Sequence, residues 1–204
     1  MPLVAILVDV GGFMYFDLDG ETKARLIEVM IEQKLYDEAY TQIRKNGASG
    51  IAPESLARLG HTLSELHDYA PDDELTEICR IAFEKTEYDP VIFKYMCRNY
   101  KDDLGVLLKM HITAKVHDIK DLTIHERALL RAVETGDMEN DCFPVFTEYY
   151  EEGTDQALKL KYISAMAESY LYNGDLHGAR VFPYMERELY KETEIGRASC
   201  RERV

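Results

Sequence analysis

The sequence predicts an all-α protein made of tandem helical hairpins stacked into a right-handed α-solenoid. Three observations predict it. Four segments repeat one shape around Tyr36, Tyr88, Met138 and Leu176: an amphipathic helix, a short polar turn, an apolar or aromatic residue, then an acidic or polar opening to a second helix. Apolar residues inside these segments follow a 3.6-residue period, and residues that start and stop helices stand at the turns. The first two spacings, 52 and 50 residues, are close to regular, and the third is 38.

Taken in order, residues 1–20 admit two readings. Leu3, Ile6, Leu7, Val10 and Met14 fit a helix of a preceding unit, whereas Gly11-Gly12 between apolar runs fits a hairpin, with Asp19-Gly20 as a second turn. A helix broken at the glycines is the expectation. The repeat domain is expected over 21–193. Leu26, Ile27, Met30 and Ile31 make one helical stripe, and Ile78, Ala82 and Phe83 occupy equivalent positions 52 residues on. Asp37, Asp89 and Asp175 stand where an N-cap would accept from orphan backbone amides, and Pro90 suits a first helical position, which needs no donor. Gly136 and Gly174 can take the left-handed conformation that ends a helix. Further helices near Pro53–Leu66 and Asp103–Val116 bring each unit to about three, a size that buries its apolar face only by stacking on neighbours.

Composition narrows the function classes. The chain has 204 residues, 46% of them hydrophobic, with a formal charge of -14 from 24 basic and 38 acidic side chains. That excess argues against a nucleic-acid partner, which needs a basic stripe to release counterions. No apolar run approaches a membrane span of roughly 18 residues, so no membrane insertion is expected. Cys79, Cys97, Cys142 and Cys200 lack metal-ligand spacing and three sit among apolar residues, as reduced core thiols in a cytoplasmic setting do. The N-terminal stretch lacks the basic start and cleavage pattern of a leader.

The search for chemistry finds no catalytic, cofactor-binding or metal-ligating set. Asp17, Asp19, Glu21 and Glu28 fall at positions one, three, five and twelve of a calcium-type loop, but Thr22 stands where the turn needs glycine, so a helix-capping turn is the better reading. His61 and His67, like His111 and His117, are six apart and do not share a helix face. His125-Glu126 reads as a helix start without a second histidine four residues on, where Leu129 stands. Asp68, Asp72, Asp73, Glu74 and Glu77 follow or flank Pro71 as a helix start favours. No phosphate loop, nucleophile elbow or dinucleotide fingerprint occurs. The remaining signal is 14 tyrosines with no tryptophan. Tyrosine suits inter-helix boundaries and binding surfaces alike. Tyr100, Tyr149 and Tyr150, near helix ends, are the candidate protein-binding residues.

Three resemblances follow. Leu35-Tyr36-Asp37-Glu38-Ala39-Tyr40, Tyr88-Asp89 with Tyr95 to Tyr100, and His125 to Leu130 leading to Val145 to Tyr150 carry a likeness over residues 26–173. The stretch resembles an uncharacterised family of large helical-repeat proteins from anaerobic gut bacteria, a domain of unknown function with no activity to carry over. Tyr36-Asp37-Glu38-Ala39 is also similar to the turn of tetratricopeptide repeats, but a spacing near 50 departs from their period of about 34, so the likeness is one of architecture. Glu194 to Val204 resembles a translated sequencing adapter, and these eleven residues are set aside as 194–204. These likenesses imply a piece of a longer protein, in which Met1 need not be the natural start. The function expected is a non-enzymatic scaffold or docking segment whose partner is another protein or the remainder of the same chain, with self-association through an exposed terminal repeat around Phe182, Met185 and Leu189. The alternative is a support domain of a longer enzyme whose catalytic domain lies elsewhere.

Overall fold

The computed structural model describes residues 19–66, 72–137 and 142–201, the last ten as backbone alone. Among them are ten α-helices, one 3-10 helix and no strand, so the all-α expectation holds. The helices group into two compact units, Met1–Tyr100 and Lys101–Val204. Apart from Asp19 and Gly20, the reading of residues 1–20 lies outside the described residues, as do His67, Asp68, Pro71 and Met138.

The first unit holds α1 (Gly20–Glu32), α2 (Tyr36–Asn46), α3 (Pro53–Leu66), α4 (Asp73–Lys85) and α5 (Pro90–Asn99). Helix α3 packs on each of the other four. Its Leu56, Leu59 and Leu63 are buried against a core that includes Ile27, Met30 and Ile31 of α1 and Leu75, Ile78, Cys79 and Ala82 of α4. Local chemistry sets most of the helix starts. Asp19 accepts from the Thr22 amide at 2.8 Å, and Glu28 accepts from the Ala52 amide at 2.8 Å where α3 begins. Two of the four carboxylates of the calcium-like pattern, Asp19 and Glu28, therefore serve helix N-termini. Asp72 caps α4 through the amides of Glu74 and Leu75, and Asp89 caps α5 through those of Val91 and Ile92, with Pro90 at the first helical position. Asp37 departs from expectation. The cap position falls two residues earlier, at Leu35, which has no side-chain cap bond, and helix α2 opens at Tyr36. The cause is the end of α1: Lys34 is left-handed at φ 62°, and the Leu35 amide donates back to the Met30 carbonyl at 2.9 Å, which turns the chain within three residues.

The second unit holds α6 (Leu104–Val116), α7 (Leu122–Thr135), α8 (Phe143–Glu152), α9 (Gln156–Asn173), the 3-10 helix η1 (Leu176–Val181) and α10 (Phe182–Arg201). Asp103, Asp121, Asp155 and Asp175 cap α6, α7, α9 and η1 through backbone amides. Gly136 and Gly174 end α7 and α9 in the left-handed conformation, each at φ 69°. Helix α7 opens at Leu122, three residues before the expected His125, because Asp121 supplies the cap. After Gly174 the chain forms a tight 3-10 turn before α10. Gly178 permits this, since a Cβ there would lie 2.3 Å from the Met166 carbonyl oxygen and 2.9 Å from the Tyr170 amide nitrogen of α9. Rings fill the core: Phe146 stacks on Tyr162 with centroids 4.6 Å apart, and Tyr184 meets Phe146 and Tyr150 edge-on at 5.0 and 4.7 Å.

Candidate functional site

On α6, Leu104, Leu107, His111 and Ala114 recur at the spacing of one helix face, and all four are buried. The stripe that packs the helix thus carries an imidazole inward, and His111 is only 5% exposed. On α7, His125 borders the buried face made by Ile124, Ala128 and Leu129. On α8, Glu148 lies between the buried Phe146 and Tyr149. Because α7 packs on both α6 and α8, the three side chains meet.

Their geometry is close. Glu148 Oε2 is 3.3 Å from His125 Nε2 and 3.6 Å from His111 Nε2, and the three donor atoms all lie within 4.8 Å of one another. The imidazole rings meet edge to face with centroids 4.7 Å apart. Lys115 Nζ donates to the other carboxylate oxygen, Oε1, at 2.5 Å. His125 Nδ1 faces the Asp121 carbonyl at 3.3 Å. Protonated on Nδ1, His125 donates to that carbonyl and frees Nε2; protonated on Nε2, it donates to Glu148. Burial, and then the charge of His125, push the His111 pKa below the ordinary histidine value. Burial pushes the Glu148 carboxyl up, but hydrogen bonds from Lys115 and His125 outweigh it and hold the group below its usual range. A neutral buried imidazole, a second imidazole and a carboxylate thus converge, and all three can act as electron-pair donors.

The tyrosines singled out in the sequence are placed differently. None of Tyr100, Tyr149 and Tyr150 exceeds 6% exposure. The Tyr149 hydroxyl donates to Glu126 at 2.9 Å and accepts from the Asp155 amide at 3.3 Å, while burial and Glu126 push its pKa up to about 12. The Tyr150 hydroxyl donates to Glu188, and its carbonyl accepts from the buried Lys159 at 2.7 Å. An edge of Tyr150 also reaches a shallow groove of about 750 Å³ bordered by Lys159, Arg187, Tyr190 and Lys191. The acidic residues that open α4 are engaged locally, Asp72 as cap and Glu77 with Arg80 at 2.7 Å. Cys79, Cys97 and Cys142 are buried, and burial pushes the Cys79 thiol up to about 12.

Spacing along one helix gave no reason to join His111 with His125, since the pair forms across two helices. The signal that was present is the position of His111 within its own apolar stripe.

Residues 72–201 match the C-terminal part of a family of unknown function, DUF5717. The chain belongs to this family. The matched segment contains His111, His125 and Glu148, and it begins after Leu35 to Tyr40, one of the stretches that carried the resemblance. It also runs through residues 194–201, the greater part of the tail set aside above, along which α10 continues to Arg201. No curated protein and no solved structure matches the chain. No described helix of this DUF5717 chain is long and apolar enough to cross a membrane.

Proposed function

We propose that this chain is a non-enzymatic docking segment, a piece of a larger helical-repeat protein that receives a helix of another polypeptide. One observation carries the reading. Phe182, Met185 and Leu189 recur at i, i+3 and i+7 on α10, so they share one face. Phe182 is 41% and Leu189 61% exposed, with Met185 partly so. An adjoining face of the helix is occupied, because Tyr184 packs on Tyr150 and Glu188 accepts from its hydroxyl, and one edge of the stripe is anchored where Phe182 meets Tyr170 at 5.2 Å. A second helix laid along this face would bury the area those three side chains still expose, worth about 25 cal/mol per Å² of apolar surface. The acidic charge fits a protein partner, and thiols buried among apolar residues fit a reducing, cytoplasm-like compartment.

With no partner present, the same stripe should pair with a second copy. Sedimentation velocity on the 204-residue chain tests this. Concentration-dependent dimerisation is expected, and the double substitution Phe182→Glu with Leu189→Glu should abolish it while far-UV circular dichroism stays unchanged. A strictly monomeric wild-type chain at high concentration would overturn the reading.

A further inference from the structure

We propose that His111 Nε2, His125 Nε2 and Glu148 Oε2 form a binding site for a divalent first-row transition ion of the zinc class. This goes beyond docking, and nothing in it depends on the α10 stripe. Donors around tetrahedral zinc, at bond lengths of about 2.0–2.2 Å, stand roughly 3.3 Å from each other. The two distances to Glu148, 3.3 and 3.6 Å, are already near that edge length, and the remaining histidine pair has to close from no more than 4.8 Å.

The surroundings suit a metal ligand set. The Asp121 carbonyl is positioned to take the Nδ1 proton of His125, the second contact that fixes the tautomer of a metal-binding histidine. Lys115 holds Oε1 of Glu148, which leaves Oε2 for one-point coordination. His111 Nδ1 is buried without a hydrogen-bond partner. The imidazole therefore gains little from the protein's own polar groups, and an ion on Nε2 supplies an interaction that they do not. Two imidazoles favour zinc, cobalt, nickel or copper over magnesium or calcium, which prefer all-oxygen cages. Glu148, with 37% of its side chain exposed, provides a way in from solvent. Three protein donors leave a fourth position for water or for a donor from a docked partner. Since each ligand comes from a different helix, the ion would tie α6, α7 and α8 together.

The test uses the whole chain after chelator treatment, titrated with zinc chloride in a calorimeter and with cobalt(II) in a spectrophotometer. One ion per chain is expected, with visible cobalt bands of nitrogen and oxygen coordination, no thiolate charge-transfer band, and a thermal midpoint raised by several degrees. His125→Gln and Glu148→Gln should each weaken binding at least tenfold. His111→Asn should do the same as the other ligand changes; should that buried substitution fail to fold by circular dichroism, the two more exposed ligands carry the test. Absence of stoichiometric binding, a thiolate band, or affinity changed less than threefold by both His125→Gln and Glu148→Gln would each overturn the site.

Discussion

His61 Nδ1 on α3 lies 2.6 Å from Oδ2 of Asp89, the residue whose other carboxylate oxygen caps α5. One aspartate thus starts one helix and ties it to another. Burial pushes the Asp89 carboxyl up, but the Ile92 amide and His61 outweigh it, and the net effect holds its pKa below the usual carboxylate range. A carboxyl depressed on folding contributes stability above its unfolded pKa of about 3.9 and loses it as pH falls through the folded value. Asp89→Ala should therefore cost about 1–2 kcal/mol at pH 7. The gap from wild type should close below about pH 4 as Asp89 itself protonates, which urea unfolding of both proteins from about pH 7 down to about pH 2 would read.

Gly178 and Met166 define the second expectation. A methyl at Gly178 would sit 2.3 Å from the Met166 carbonyl oxygen and 2.8 Å from Tyr170 Cβ, so η1 would have to lift from α9. Gly178→Ala should cost about 1–3 kcal/mol and lower the thermal midpoint by about 2–4 °C per kcal/mol. An unchanged melting curve would mean that η1 does not lie where the structure puts it.

Tyr149 separates a packing role from a docking role. Its hydroxyl links Glu126 of α7 to the Asp155 amide at the start of α9. Tyr149→Phe leaves both groups short of a partner and should cost about 1–2 kcal/mol, without altering self-association in sedimentation velocity. Loss of association with no loss of stability would instead restore Tyr149 as a surface contact.

The legible part of this fold is the part decided within a few residues of chain. Asp89 with Pro90, Asp175, Gly136 and Gly174 were readable because a cap accepts from amides two or three positions away and a left-handed terminus is a property of one residue. Asp37 was misread because Lys34 enters the left-handed region without being glycine, a conformation no sequence rule assigns to lysine. The apolar face of Phe182, Met185 and Leu189 was readable from period alone, and the structure leaves it partly exposed, Leu189 most of all.

Burial of the tyrosines and assembly of the metal-type cluster needed the packed helices. Tyr149 and Tyr150 look alike in sequence to tyrosines on a surface, since the same amphipathic ring serves both settings. Only the position of α8 against its neighbours turned them inward. His111, His125 and Glu148 are separated by 14 and 23 residues and belong to three helices. By itself the sequence determined several helix termini, such as those at Asp89, Asp175, Gly136 and Gly174, and the apolar stripes of the helices, because backbone amides and side-chain period act locally. Tertiary structure alone decided which polar groups on those helices face one another, because that depends on the rotation and separation at which whole helices pack.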